Sequence, residues 1–322
     1  MRYLRPLPSP GGLRLAGGWL RFDRMEILTR GEPPRIAPVE EVGDTDLAPF
    51  VHPRPTIAGA ATDRPSIMGI LNVTPDSFSD GGRHAGLTDA LAQADRMAAA
   101  DILDIGGEST RPGAAEIPPE EEAARVLPVI EALRGRAISV DTRKAGIARQ
   151  AVGAGACLVN DVSGLQFDVH MAATVADLDV PLCLMHSVGT PKTMQDDPRY
   201  GDVVLDIYDA LAARIDAAAA AGIPRHRIVA DPGIGFGKTQ AHNLALLHRI
   251  GLFHGLGVPL LLGASRKGFI GRIGGATDPE ARLPGTLAVT LAAVAQGVQM
   301  HRVHDVAEVA QGLALWRAVT EG

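Results

Sequence analysis

One pattern constrains the fold of this chain more than any other. From Ile67 onward, short apolar stretches alternate with amphipathic stretches of helical period, and the alternation occurs eight times. Apolar runs of four to eight residues between turn-forming residues are typical of strands buried on both faces, as in parallel sheets. We predict strands at residues 67–73, 102–105, 137–140, 157–160, 181–185, 227–230, 259–263 and 299–303. The helices between and after them are predicted at residues 87–100, 119–133, 144–154, 169–176, 202–221, 241–250, 282–296 and 306–319.

Eight strand–helix units are what an α/β fold of the (β/α)8 TIM barrel type requires. A doubly wound sheet also alternates strands and helices, but eight regular units followed by a terminal helix favour a closed barrel. Residues 66–322 are therefore predicted to form the barrel, and residues 1–65 an N-terminal extension. Within the extension, Gly17-Gly18 favours a small hairpin between residues 13–16 and 19–28. Residues 33–62, rich in proline, glycine and acids, are predicted to be an irregular linker.

Composition excludes several classes of function. The net charge is -6, with no basic block, so nucleic acid is not an expected partner. No apolar run approaches the roughly 18 residues of a membrane span, and the proline-rich start of the chain breaks any signal-peptide core. Cys157 and Cys183 have no C-x-x-C spacing and are expected to be buried free thiols in a reducing cytoplasm.

Polar residues follow almost every predicted strand, at the end where a barrel of this type carries its active site. The strand ends carry Asn72, the GGESTRPG stretch at 106–113, Asp141, Asn160-Asp161, Met185-His186, Asp231, Ser265-Arg266-Lys267 and Arg302-Val303-His304. Alternate side chains of a strand share a face, so Arg302 and His304 should point into the barrel mouth and Val303 toward the helices.

Several of these features have a purely structural interpretation when taken singly. Asp305 is a good N-cap for the last helix, and a lone His304 is often a hydrogen-bonded structural histidine. Gly237-Lys238-Thr239 imitates the tail of a phosphate-binding P-loop, but that motif needs glycine where this chain has Pro232, so it is rejected. No zinc cluster, serine triad or nucleophile elbow is visible in the sequence. Capping alone does not explain polar residues at eight strand ends.

The polar strand ends divide into two sets by chemistry. One set mixes hydrogen-bond donors and acceptors and suits a flat heterocycle with guanidine-like N–H groups: Asp141, Asn160, Asp231 and Lys267. The other set, Asn72, Arg302 and His304, forms an anion site compatible with a diphosphate and Mg2+. Magnesium prefers oxygen ligands and keeps several waters, so the Asn72 carbonyl can suffice as its protein ligand.

Eight sequence motifs occur in one order over residues 66–319: MGILNVTPDSFSDGG, DIGGESTRPGA, SVDT, NDVSG, LMH…GTPKTMQ, DPGIGFGK, GASRKGFIG and RVHDV. Together they closely resemble those of the dihydropteroate synthase family, the folate-pathway enzymes inhibited by sulfonamides. The resemblance implies displacement of diphosphate from a (7,8-dihydropterin-6-yl)methyl diphosphate by the amine of 4-aminobenzoate, which gives 7,8-dihydropteroate.

The resemblance also implies roles for single residues. The pterin positions are matched by Asp141, Asn160, Met185, Asp231 and Lys267. The diphosphate positions are matched by Asn72, Thr110, Arg111, Arg302 and His304, with Asn72 also contacting magnesium. The aminobenzoate positions are matched by Phe78, Pro112, Phe236, Ser265 and Lys267. Asp80 matches a loop position that helps to stabilise the cationic pterin methylene, so the implied catalytic set is Asn72, Asp80, Lys267, Arg302 and His304.

Some expectations remain open at this level. Residues 74–82 are expected to form a mobile lid, and Ser187-Val188-Gly189 departs from the usual family pattern at the pocket rim. A pterin-dependent methyltransferase and a catalytically inactive pterin-binding homologue are the alternative functions. The resemblance implies a homodimer, for which the last two helices offer apolar residues: Leu287, Leu291, Val294, Val309, Leu313, Leu315 and Trp316.

Overall fold

The structure, a computed structural model, describes residues 2–73, 82–109, 113–189 and 193–320, with only the backbone at 82–85. The strands are β1 (Arg2–Ser9), β2 (Leu13–Arg14), β3 (Arg21–Thr29), β4 (Arg35–Pro38), β5 (Ser66–Asn72), β6 (Ile102–Gly106), β7 (Ile138–Asp141), β8 (Leu158–Asp161), β9 (Leu182–Met185), β10 (Ile228–Asp231), β11 (Leu261–Leu262) and β12 (Met300–Val303). The helices are α1 (Asp44–Val51), α2 (Gly82–Arg96), α3 (Pro119–Ala132), α4 (Ala145–Ala154), α5 (Met171–Leu178), α6 (Val203–Ala220), α7 (Gln240–His248), α8 (Gly268–Gly274), α9 (Leu283–Val294) and α10 (Val306–Thr320). None of the described helices is both long and apolar enough to cross a membrane.

Strands β5 to β12 form one parallel sheet in the order β10-β9-β8-β7-β6-β5-β12-β11. A parallel bridge between Ala230 and Leu260 joins the two ends of this order, and the Ala230 N–H donates to the Pro259 carbonyl at 2.9 Å. Helices lie between successive strands and after the last. The predicted (β/α)8 TIM barrel is confirmed.

The seventh unit differs in detail from its prediction. Its ladder contains only Leu261–Leu262, and the short helix α8 stands before α9 where no helix was predicted. The stretch GFIGRIG carries three glycines, and glycine is the poorest helix former after proline. Burial of Phe269 and Ile270 in the core overrides that propensity.

The barrel interior has an apolar layer near the amino ends of its strands. This layer contains Met68, Ile102, Leu158, Cys183, Val229, Leu261 and Met300, together with Ile57 and Ala60 of the extension. Ile57 and Ala60 exchange backbone hydrogen bonds of 3.0 and 2.8 Å, so the chain turns sharply beneath the barrel. The extension thus supplies two side chains that close this end of the barrel.

The extension itself differs from the predicted hairpin and irregular linker. Strands β2 and β3 pair as that hairpin requires, but β1 pairs along most of β3, and β4 and α1 form inside the predicted linker. Strand β1 carries Pro6 and Pro8, residues that usually interrupt a strand. Proline is tolerated on an edge strand, because the side of the strand without a neighbour needs no N–H donor for the ladder. Phe22, Met25 and Phe50 belong to a small core within this sheet-and-helix unit.

Directed contacts hold the extension against the outside of the barrel. The Tyr3 hydroxyl donates to Asp209 of α6 at 2.8 Å, and the Trp19 indole donates to the Val294 carbonyl of α9 at 3.0 Å. Arg54 is buried and donates to the His254 carbonyl at 3.1 Å. These contacts place the extension against the outer wall of the barrel, and none of them is at the carboxyl ends of the strands.

Candidate active site

A cavity of about 820 Å³ opens at the carboxyl ends of the barrel strands. Seven of the predicted site residues line it: Asn72, Asp141, Phe236, Ser265, Lys267, Arg302 and His304. The volume is typical of a site for small organic ligands. Arg302 and His304 both line the cavity, whereas Val303 between them packs in the core against the helices, as strand alternation predicts.

The sheet register places four of the predicted pterin residues in two side-by-side pairs. Asp141 of β7 is the register partner of Asn160 on β8, and Met185 of β9 is the partner of Asp231 on β10. All four side chains are buried. Because each is at or next to the carboxyl end of its strand, the four form one stepped row, in which Asn160 is the register partner of Cys183, two residues before Met185.

Arg302 is the central cation next to this row. Its Nε donates to Asp104 Oδ2 at 2.5 Å, and its Nη2 donates to Asp141 Oδ2 at 2.7 Å. Asn160 Nδ2 also donates to Asp104 Oδ2, at 3.1 Å. The other oxygens, Oδ1 of Asp104 and Oδ1 of Asp141, are buried and have no hydrogen-bond partner among the described residues. Asp141 lines the cavity, so its free Oδ1 is an acceptor available to a ligand, whereas Asp104 is fully buried behind it.

Burial acts on the pKa values of Asp141 and Arg302. It raises the pKa of Asp141 to about 7, although the Arg302 guanidinium opposes the shift. Burial alone would lower the pKa of Arg302, but Asp104 and Asp141 hold it above its ordinary value. A cation shared by two buried carboxylates offsets part of the cost of removing all three groups from water.

Asp231 is held by the turn that follows β10. Its Oδ1 accepts a hydrogen bond from the Gly233 N–H at 2.7 Å, and burial raises its pKa to about 6. Gly233 has a φ of +69°, and a Cβ there would lie 1.9 Å from the His186 carbonyl oxygen. Only glycine fits this turn, so the backbone of the DPG motif fixes the direction of the carboxylate.

Three of the residues predicted for the amine substrate line the cavity: Phe236, Ser265 and Lys267. Lys267 Nζ stands 4.0 Å from the centroid of the Phe236 ring, within cation–π distance. Ser265 Oγ lies 3.0 Å from His304 Nδ1 and accepts from the His304 backbone N–H at 3.2 Å. A residue predicted for aminobenzoate thus contacts one predicted for diphosphate.

Comparison with known proteins places this site in a family. A model of the pterin binding enzyme family matches residues 68–304. The dihydropteroate synthase of Escherichia coli is 46% identical over 259 residues, which cover 79% of this chain and 91% of that protein. The chain belongs to the dihydropteroate synthases of the pterin-binding enzyme family.

Solved structures of dihydropteroate synthases show the same fold. The Xanthomonas albilineans enzyme with 4-aminobenzoic acid is 48% identical, with a TM-score of 0.77 over 81% of this chain and 95% of that one. The Yersinia pestis enzyme in a sulfonamide drug complex is 44% identical, also with a TM-score of 0.77, over 81% of this chain and 96% of that one. Its family makes this chain an enzyme and a transferase.

Three parts of the site were missed by sequence reasoning. Asp104 carries the central contacts to Arg302 and Asn160 but was not singled out, although an acid inside the strand ILDIG at an inward position is a usable signal. Lys238 lines the cavity but was considered only as part of the rejected P-loop. The third part is a buried network around Glu108, described next.

Glu108 anchors the loop that follows β6. It accepts from Arg143 at 3.0 Å and from the Ile117 backbone N–H at 3.2 Å. Lys144 Nζ donates to the Ile117 carbonyl at 2.9 Å and to Glu122 at 2.6 Å. These bonds tie residues on both sides of 110–112 to the loop after β7. No sequence motif reported this network, because its members come from three separate loops and helices.

Several predicted residues lie outside the described part of the chain. They are Phe78, Asp80, Thr110, Arg111 and Pro112, and of the predicted lid at 74–82, residues 74–81 lie outside it.

Asp305 directly precedes α10, and its carboxylate pairs with Arg266 at 2.5 and 3.1 Å. Among the described residues no group of three or more His, Cys, Asp or Glu is placed to hold a metal ion.

Proposed function

We propose that this chain condenses (7,8-dihydropterin-6-yl)methyl diphosphate with 4-aminobenzoate to give 7,8-dihydropteroate and diphosphate. One observation carries the proposal: the buried, unpartnered Asp141 Oδ1 in a row with Asn160, Met185 and Asp231. Solved structures of the Xanthomonas albilineans enzyme, with 4-aminobenzoic acid and with 7,8-dihydropteroate, support it by analogy.

The pterin is bound by the acids and the amide of this row. A pterin presents neighbouring N–H donors like those of a guanidine, and a carboxylate accepts such donors in parallel. Asp141 keeps Arg302 on one oxygen while its other oxygen receives a ligand N–H. Leaving that oxygen unpaired is unfavourable by about 1–3 kcal/mol, so a ligand that satisfies it gains affinity.

The diphosphate is bound by Asn72, Arg302 and His304, with Thr110 and Arg111 as further predicted contacts. Magnesium fits this donor set, because Asn72 offers an amide oxygen to the cavity and the metal needs only one or two protein oxygens beside phosphates and waters. Bound there, Mg2+ would neutralise charge on the leaving diphosphate. Arg302 and His304 stabilise the same developing charge from the protein side.

The amine substrate lies against Phe236, Ser265 and Lys267, with Phe78 and Pro112 as predicted neighbours. An aromatic amine is neutral at pH 7 and needs little general-base help. This chain's residues therefore act by positioning the amine and by electrostatic stabilisation of leaving group and cation. Asp80 is predicted to stabilise the cationic methylene.

The proposal is tested by following pyrophosphate release from the pterin diphosphate, with and without 4-aminobenzoate and Mg2+. We expect release that requires the amine, and Asp141→Asn should lower kcat/KM at least 100-fold. Asp177→Asn, at an exposed ion pair with Arg149, is the control that should keep full activity. Binding of pterin without release supports the inactive homologue. Corrinoid-dependent demethylation of methyltetrahydrofolate supports the methyltransferase.

We further propose a cytoplasmic homodimer that is inhibited by sulfonamides competing with 4-aminobenzoate. Of the apolar residues predicted for the interface, Val294, Val309 and Leu313 are already buried in the barrel wall. Leu315 is 66% exposed and is available to a second copy. Leu315→Asp should therefore shift the sedimentation coefficient toward the monomer.

A further inference from the structure

Lys238 is a buried cation at the cavity whose role the proposed reaction leaves unexplained. It is 3% exposed, lines the cavity and immediately precedes Thr239, the N-cap of α7. Among the described residues it forms no ion pair with a carboxylate. A lysine is almost never buried to this extent unless its ammonium group is satisfied. Its partners therefore identify what it holds in place.

The Lys238 ammonium has three acceptors. Nζ lies 3.1 Å from His186 Nδ1, 3.2 Å from the His186 carbonyl oxygen and 2.8 Å from the Phe236 carbonyl oxygen. In its charged form the group has three N–H donors, so this arrangement uses all of them, while burial lowers the pKa of Lys238 to about 7. Burial lowers the pKa of His186 to about 2, which keeps its ring neutral and able to accept. The arrangement joins the end of β9 to the loop after β10.

That loop carries the aromatic wall of the cavity. Two further bonds hold its backbone: Gln195 Nε2 donates to the Gly235 carbonyl at 2.9 Å, and the Tyr200 hydroxyl donates to the Gly237 carbonyl at 2.8 Å. Lys238 holds the carbonyl of the residue between them, Phe236, whose ring faces Lys267. Three successive carbonyls are thus fixed, and only the middle one belongs to a residue predicted to touch the amine.

We propose that Lys238 is a positioning residue for the amine substrate: it fixes Phe236, and so sets the wall that Phe236 and Lys267 present to the aromatic ring. The inference rests on the proposed function. It predicts a larger effect on the amine than on the pterin, because one Lys238 bond holds the Phe236 carbonyl and none of the three goes to Asp141, Asn160, Met185 or Asp231. Of these four, Asp231 is reached by the Lys238 charge, which lowers its pKa against the rise that burial causes.

The test is Lys238→Met, which keeps the length and apolar stem of the side chain and removes its three donors. We expect KM for 4-aminobenzoate to rise about tenfold, as for loss of one hydrogen bond to a charged group. KM for the pterin diphosphate should stay within about twofold. The Phe236→Leu background should abolish the effect, since the wall that Lys238 positions is then absent. Lys238→Gln keeps two donors, so its KM for 4-aminobenzoate should lie between those of the unaltered protein and Lys238→Met. It replaces Lys238→Met in the test if the methionine variant does not fold.

Arg54→Met is the matched control. Arg54 is also buried, its hydrogen bonds among the described residues go to the carbonyl oxygens of His52, Pro49 and His254, and it lies in the extension away from the cavity. It should lose stability with both KM values unchanged. Equal stability losses in both variants with unchanged KM, or an equal rise in both KM values for Lys238→Met, would overturn the inference. Absence of turnover in the unaltered protein would instead contradict the proposed function.

Discussion

The two ends of the barrel interior are built from the same strands but have opposite chemistry. Strand β6 shows the contrast: its inward side chains are Ile102 in the apolar layer and then Asp104 at the level of the site. On β12, Met300 is followed in the same way by Arg302. One step of two residues along a strand thus leads from a dry core to a cluster of buried charges.

The difference is energetic as well as chemical. Fully burying a large apolar side chain stabilises the fold by about 1.5–3 kcal/mol, so the amino end contributes stability. Buried carboxylates are unfavourable unless they are paired and hydrogen-bonded, so the carboxyl end reduces stability in exchange for a binding surface. The comparison teaches that a variant's effect depends on which layer it changes.

The largest effect is expected at Arg302. Arg302→Met removes the cation that Asp104 and Asp141 share, and leaves these buried carboxylates uncompensated. The free energy of unfolding should fall by about 3–5 kcal/mol, measured by urea denaturation. Activity should be lost with it.

A second substitution separates charge from packing at Arg302. Because Asp104 is the fully buried acid, Asp104→Asn in the Arg302→Met background should restore part of the lost stability without restoring activity. If the double variant is no more stable than Arg302→Met alone, Arg302 stabilises the fold by packing rather than by charge. The proposed electrostatic difference between the two layers would then be wrong.

A smaller effect, confined to stability, is expected at the apolar end. Ile57 is 1% exposed and packs against the first inward residues of the barrel strands. Ile57→Ala should lower the free energy of unfolding by about 2–4 kcal/mol through the cavity it leaves, with kcat/KM unchanged. Ile36→Ala, at a side chain 59% exposed in the same extension, should change stability by less than about 0.5 kcal/mol. A marked fall in kcat/KM for Ile57→Ala would show that the two layers are coupled.

The alternation of the sequence was sufficient to predict the barrel, because parallel strands and their covering helices each leave a clear period. The polar strand ends likewise predicted side chains that line the cavity, such as Asn72, Asp141 and Arg302, since strand direction fixes the active end. Asn160 and Asp231, predicted in the same way, are not among its lining residues. Partners were harder to predict. Asp104 of β6 joins Arg302 because the last strand, β12, pairs with β5, the neighbour of β6, and it reaches Asn160 of β8 across β7. Lys238 depends on His186, 52 positions away in the chain.

The extension was the least predictable region. Its strand β1 contains prolines that argue against a strand, and only pairing with β3 makes the segment regular. Helix α1 has Pro49 inside it, and its Leu47 and Phe50 are buried in the small core of the extension. In both elements tertiary packing overrides local propensity, which no single segment of sequence reports.

The smallest effect is expected where the extension meets the end of α7, at an ion cluster outside both interior layers. Glu26 accepts from Arg5 at 2.6 Å and from Arg249 at 3.2 and 3.3 Å. Burial raises the pKa of Glu26, but the bonds from Arg249 and Arg5 outweigh burial and hold it below its ordinary value of 4.5. A lowered pKa means that the ion cluster stabilises the fold above pH 4.5 and that this stability is lost as the pH falls through the pKa of the folded state.

Glu26→Gln should therefore lower the free energy of unfolding by about 1–2 kcal/mol at pH 7, and the difference in free energy of unfolding from the unaltered protein should narrow as the pH falls below 4.5. Urea denaturation across pH 3.5–7, with kcat/KM measured at pH 7, checks both parts. A difference that stays constant down to pH 3.5 would assign the loss to packing rather than to charge. A fall in kcat/KM would mean that charges on the outer wall of the barrel affect catalysis. That result would contradict the expectation that only residues at the carboxyl ends of the strands determine activity.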